Sequence, residues 1–487
     1  MIKMKKVYKK QFIAILLVNL LFSATSWGQA WKLTETMTAN LDDKGVLTIS
    51  TTKDAEAMPD LGLNIGANDA PWFGSDVHNR SVRSVIIANG VTSIGGYSFS
   101  NHRALTSVEI PNSVTTIGQS AFNSCLALSS VTFPNSVTTI GEYAFYLCRS
   151  LKSLTIPQSV TTIGKCAFAE SDITTVTIPN SVTSIGASAF SGCRFLTDIT
   201  IPNSTTTIEA GTFSQCSSLK SVTIPNSVTT IKDGAFSLCT SLTSVEIPNS
   251  VTTIEGAFSN CYSLTSITIP NSVTTIGAWT FSECLALSSV EIPNSVTTIG
   301  EYAFNSCVEL TSITIPNAVT SIGKGAFIEC LSLTSITIPK SVTNFGNAAF
   351  AQCTSLKDVT VEWTTPLPID IYYFNEVILS VATLHVPTGM KALYQAADGW
   401  KDFGTVLEYN PSHTEPVEVP TLKALASNGI LTVSGLLAGD PVSIYSLSGQ
   451  LVYKGVAKAE TEQIPLNVNG IYIVATKNRT IKTIIKY

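Results

Sequence analysis

The chain has 487 residues, of which 13% are charged and 44% apolar, with a formal net charge of −5. So little charge on so much apolar side chain excludes a disordered acidic tail, and the acidic balance counts against nucleic acid or anionic lipid as a direct partner. A length that would ordinarily imply about three globular domains has to be read through the repeats that fill most of it.

The first segment, 1–28, reads as a signal peptide. "MIKMKKVYKKQ" is basic, "FIAILLVNLLF" is apolar and "SATSWGQA" supplies small residues for cleavage before Gln29. The apolar run is too short to span a bilayer as a helix, so no transmembrane span is expected in the mature protein. The first cysteine is Cys125, which leaves no lipobox. Removing Lys3, Lys5, Lys6, Lys9 and Lys10 leaves 24 basic against 34 acidic side chains, a net of −10. The expected location is the outer surface or the extracellular space.

Residues 29–81 precede the regular repeats and contain "GVLTIS" and "APWF". Asp42-Asp43 before Lys44-Gly45 reads as a β-turn, since a calcium loop needs acids at alternating positions. From 82 to 361 the chain repeats itself. Eleven prolines from Pro111 to Pro339 fall 23 residues apart, dropping twice to 22, and twelve phenylalanines from Phe99 to Phe350 keep the same beat. Such a period predicts a stacked solenoid of about twelve coils.

One unit shows the logic. Leu242, Val245, Ile247, Val251, Ile254, Ala257, Phe258 and Cys261 are apolar among polar neighbours. "SVEIP" alternates with period two, which points Val245 and Ile247 inward and Ser244 and Glu246 outward. Proline ends the strand because it cannot donate to the next rung. "PNS" then turns the chain, and "VTTI" forms a second short extended segment. No coil can bury its own stripe, so parallel strands about 4.8 Å apart must share one core. The two 22-residue units lack a residue after Phe168 and before Phe258, in the non-strand arc, which tolerates length change. Thr205 replaces the column valine and should pack less well.

Ten of the eleven cysteines lie three residues after the repeat phenylalanine, with His102 and Ser171 in the same column and Cys166 elsewhere. Stacked neighbours would stand near 5 Å at Cα, inside disulfide range, but their side chains would run parallel into the core. Free buried thiols are expected. There is no Cys-x-x-Cys pair, and none of the hydrolase, phosphate-loop, dinucleotide or zinc-protease motifs occurs. Of the histidines, His78 and His385 fall in the flanking regions and His413 in a linker. No enzyme activity, cofactor or metal is expected.

The outward strand positions form a column: Glu109, Thr132, Thr155, Thr177, Thr200, Thr223, Glu246, Thr268, Glu291, Thr314 and Thr337. A neighbouring column is serine almost throughout, with Thr175 and Asp198 as exceptions. These positions, with the arc aromatics Trp279 and Tyr302, are the candidate binding surface.

Residues 362–408 follow the repeats, "YNPSHTEPVEVP" at 409–420 reads as a linker, and 421–487 holds short alternating strands that suit a small β-sandwich.

The unit Cys-x-x-Leu-x-x-Val-x-Ile-Pro-x-x-Val-x-x-Ile-x-x-x-Ala-Phe closely resembles the BspA-type leucine-rich repeat of bacterial surface proteins. "GVLTIS" with "APWF" resembles the N-terminal cap of that family, and "LHVPTGMKALYQAADGWKDF" its C-terminal cap. The tail, "VSIYSLSGQLVYKG" through "GIYIV" to "TIKTIIKY", resembles the C-terminal sorting domain of type IX secretion substrates. The resemblance implies a non-enzymatic surface protein that adheres to host matrix proteins or neighbouring cells, with the tail read by the secretion machinery. The alternatives are a glycan-binding surface module and a passive structural spacer.

Overall fold

The computed structural model describes residues 28–61, 82–370, 372–410, 423–427, 430–434, 436, 441–446, 450–459, 461–465, 470–476 and 480–485. The leader up to residue 27, "APWF", His78, His413 and most of the linker lie outside the described residues. The chain divides into two compact units, Met1–Glu408 and Tyr409–Tyr487.

The first unit is a parallel β solenoid of about 14 turns. Each coil carries two short strands, such as Ser244–Glu246 and Thr253–Ile254. They stack in register on the equivalent strands of the next coil, so that Val245 lies beside Ile267 and Ile254 beside Ile276. Like residues therefore form columns, which is how a unit of about 23 residues acquires a core. Between the strands, Val251 N–H donates to the Pro248 carbonyl at 3.0 Å and closes the turn. Ser250 of the same turn donates to the Val228 carbonyl, one coil back, at 2.7 Å.

The arc that returns the chain contributes a third set of rungs. Phe236 N–H donates forward to the Ala257 carbonyl and Leu238 N–H to the Ser259 carbonyl, both at 2.9 Å. To aim these groups along the stack, the residues two before and two after the phenylalanine take left-handed backbone conformations. Tyr302 has φ 54° and Ser306 has φ 54°. The phenylalanines themselves stack face to face, with centroids 5.3 Å apart for Phe304–Phe327 and 6.0 Å for Phe258–Phe281.

Strands on both sides of the repeats are rungs of the same ladder, which is why the turns outnumber the twelve repeats. Met37–Leu41 pairs antiparallel with Val46–Thr51, and the latter pairs parallel with Ser84–Ile87. At the other end Asp358–Val361 pairs parallel with Thr383–Pro387. There Phe374 stacks on Phe350 and meets Trp400 edge-on, which ends the aromatic column. Tyr394, on the short helix Lys391–Ala396, donates to the Trp363 carbonyl at 2.9 Å. Polar atoms at the closed end are thus satisfied while the rings cover the core.

The stacking has a seam. The first-strand ladder is interrupted at three junctions, Ser130–Val131 to Ser153–Thr155, Thr175–Thr177 to Asp198–Thr200, and Ser221–Thr223 to Ser244–Glu246. Only at the middle one does the second-strand ladder also break, between Ser184–Ile185 and Thr207–Ile208. The arc still crosses it, through Phe190 N–H to the Thr212 carbonyl at 2.9 Å. A change of glycine position coincides with this junction. In most coils glycine follows the second-strand isoleucine, because a Cβ there would strike the preceding coil; on Gly164 it would lie 2.5 Å from Glu142 N. Just past the seam Glu209 takes that position, then Lys232 and Glu255 in the next two coils. In those three coils the glycine has moved to the left-handed position before the phenylalanine, as Gly211, Gly234 and Gly256. The coil also buries Thr205, whose Oγ1 has no hydrogen-bond partner among the described residues.

The second unit is a small all-β region. A three-stranded antiparallel sheet joins Lys423–Ser427, Ile430–Ser434 and Thr461–Pro465. A four-stranded one joins Leu451–Val456, Pro441–Ser446, Gly470–Ala475 and Thr480–Ile485. Leu431, Val433, Val442, Ile444, Ile464 and Val474 meet in one core between them.

Candidate binding surface

The solenoid places the outward column where strand alternation directs it. Glu109, Thr132, Thr155, Thr177, Thr200, Thr223, Glu246, Thr268, Glu291, Thr314 and Thr337 are all exposed. Register sets them beside one another: Glu246 pairs with Thr268, and Thr268 with Glu291. Asp198 is exposed in the neighbouring column and accepts from Thr197 Oγ1 at 2.8 Å. A shallow open depression of about 440 Å³ lies at this face, lined by Asn271, Glu291, Pro293, Asn294, Thr314 and Pro316.

Trp279 and Tyr302 belong to a different part of the coil, the arc. Their rings stack with centroids 4.3 Å apart and an interplanar angle of 19°. Trp279 remains 47% exposed while Tyr302 is half-buried. Lys324 Nζ stands 6.0 Å from the Tyr302 ring centroid. A second arc cluster escaped the sequence reading. Phe195 is exposed, Lys152 Nζ lies 5.3 Å from its ring, and the same ammonium pairs with Asp172 at 2.8 Å. Its only sequence signal is a phenylalanine in a slot that other cysteine-bearing units fill with serine, alanine or, once, Glu309.

Burial pushes the thiols of Cys148, Cys261 and Cys307 up to about 12, which leaves them protonated and unreactive at neutral pH. His102 is buried, with Nδ1 3.1 Å from the Ser100 carbonyl, and His385 Nε2 lies 3.1 Å from Asp358 Oδ1. Among the described residues no group of three or more His, Cys, Asp or Glu could hold a metal ion. No helix among them is long and apolar enough to cross a membrane.

A family model described as BspA type leucine rich repeat region (6 copies) matches residues 77–197, 183–307 and 279–397. Among solved structures, the chain is similar to a leucine-rich repeat protein from Bacteroides ovatus. Identity is 26%, the match covers 78% of this chain and 100% of the other, and the TM-score is 0.55. It is also similar to a leucine-rich repeat protein from Eubacterium ventriosum, at 29% identity, covering 68% of this chain and 96% of the other, with a TM-score of 0.52. No curated protein matches the chain.

Proposed function

The chain belongs to the BspA-type leucine-rich repeat family, and from that premise we propose that it is an exported surface protein that binds other proteins. The targets would be host matrix proteins or the surfaces of neighbouring cells. The observation that carries this reading is the row of eleven exposed polar side chains, eight of them threonines, from Glu109 to Thr337. Identical coils offer the same weak contact at a fixed spacing, so a repetitive partner gains avidity with each coil it engages. Export would begin with cleavage before Gln29. The unit beyond residue 420 would serve as the sorting domain read by an outer-membrane exporter, after a linker at 409–420, with caps at 29–81 and 362–408 enclosing the repeats.

The test is a screen of the secreted protein against matrix proteins and glycans, followed by removal of coils in pairs from the middle, both caps kept. Affinity should fall progressively with coil number. Full binding by four coils, or by residues 421–487 alone, would refute the multivalent reading. A glycan-binding alternative draws on the exposed Trp279–Tyr302 pair, and the glycan arm of the screen decides it.

A further inference from the structure

Side chains on the arc lean toward the following coil. A Cβ added at Gly192 would meet Glu170 Oε1 at 2.6 Å, and one at Gly325 would meet Tyr302 Cε1 at 2.6 Å. Asp233 covers Gly256 in the same way, its Oδ1 occupying the space where a side chain would begin. Tyr302 therefore lies over Gly325, and Trp279 stacks behind Tyr302. Gly256 has nothing to lay over the coil of Trp279. One step of the row, between the Asp233 carboxylate and the outer face of the indole, is left as a gap about two coil spacings wide, roughly 10 Å.

The missing residue before Phe258 deepens that gap. Elsewhere the left-handed residue donates to the next coil, as Trp279 N–H does to the Glu301 carbonyl at 2.9 Å. Among the described residues no such rung joins Gly256 to Ala278. The Ala278 carbonyl instead faces Gly256, 3.3 Å from where its Cβ would be. Three groups at the gap attract a cation or accept a hydrogen bond: the Asp233 carboxylate, the Ala278 carbonyl and the face of the Trp279 indole. Glu255, beside Gly256, is also exposed. Lys232, beside Asp233 in the sequence, is held by both oxygens of Glu209, at 2.8 and 3.0 Å. At the other end of the aromatic pair the chain already places its own cation, Lys324, over Tyr302.

We propose that this gap is a docking slot for an arginine side chain of a protein partner. The guanidinium lies flat on Trp279, and the Asp233 carboxylate across the gap offsets its charge. A planar, weakly hydrated cation with a fork of donors suits that combination better than an ammonium. A neutral sugar ring could also lie on the indole, but it brings no charge to Asp233 and Glu255. The slot rests on the reading of a protein partner and adds a single strong anchor to the weak repeated contacts.

The experiment titrates the full chain with a tetra-arginine peptide, its tetra-citrulline counterpart and a neutral cello-oligosaccharide, by calorimetry. The arginine peptide should bind about tenfold tighter than the citrulline peptide, which keeps the shape and loses the charge. Trp279→Gly should weaken arginine binding about tenfold. Glycine is tolerated there, since Gly256 and Gly325 occupy the equivalent positions with positive φ. Asp233→Asn should weaken it about threefold and flatten its salt dependence. Equal binding by Trp279→Gly, equal binding of citrulline, or a Trp279-dependent preference for the sugar overturns the slot. If a protein partner from the screen still loses affinity with coil number in that event, the slot alone has failed. A working slot with no protein partner found would instead count against the adhesion reading.

Discussion

The thiol of Cys239 donates to the main-chain carbonyl of Phe213, in the coil before its own, at 3.2 Å. The contact recurs along the stack, from Cys125 to Phe99 at 3.1 Å through Cys353 to Phe327 at 3.1 Å. Where Ser171 replaces cysteine, its hydroxyl makes the same bond to the Phe145 carbonyl at 3.0 Å. The cysteine column is therefore a row of small buried donors, each aimed at a carbonyl and not at another sulfur.

Labelling should follow that arrangement. At pH 8 the native protein should react with a maleimide at one cysteine, the half-buried Cys166. After denaturation without reductant all eleven should react. Rapid native labelling of several column cysteines, or eight or more of the eleven tied up in disulfides, would contradict it.

His102 makes stability depend on pH. Burial lowers its pKa to about 4, whereas in the unfolded chain it titrates near 6.5. Between these values the unfolded state holds the extra proton, so its contribution is complete above about pH 6.5 and is lost as pH falls toward 4, by roughly 3 kcal/mol in all. His102→Ser, copying Ser171, should shrink the loss in urea midpoint between pH 7 and pH 5. An unchanged difference would show that His102 titrates normally.

The seam should open before the rest of the solenoid. Hydrogen exchange should be faster at Asp198–Thr200 and Thr207–Ile208, where both ladders break, than at Ser266–Thr268. Thr205→Val restores the column residue and removes a buried hydroxyl without a partner; it should stabilise by about 1–2 kcal/mol. Uniform exchange along the stack would remove the seam as a mechanical feature.

Left-handed positions hold recoverable stability. Gln215 is exposed with φ 61°, and Gly192 fills the equivalent place one coil earlier. Gln215→Gly should raise stability by up to about 1 kcal/mol, since the left-handed penalty outweighs the added freedom of the unfolded chain. A lower urea midpoint would mean that the side chain earns its place through contacts of its own.

The repeat, the direction each strand residue faces, the proline stop and the buried thiols were all legible in a unit such as 241–261, because each follows from local period or from the need to share a core. Nothing local said that Val46–Thr51 and Thr383–Pro387 would add rungs to the ladder. Only the stacked coils decided that, because an exposed strand edge pairs with whatever strand lies beside it. The migration of glycine through "SIGASAF", "TIEAGTF", "TIKDGAF" and "TIEGAF" stands in the sequence, yet its meaning depends on how close the preceding coil's backbone comes. The Trp279–Tyr302 stack and the lean of Asp233 over Gly256 are of the same kind. Residues 23 apart become neighbours only through the register of the ladder, and a side chain's reach across that spacing is set by the left-handed arc, not by the residue itself.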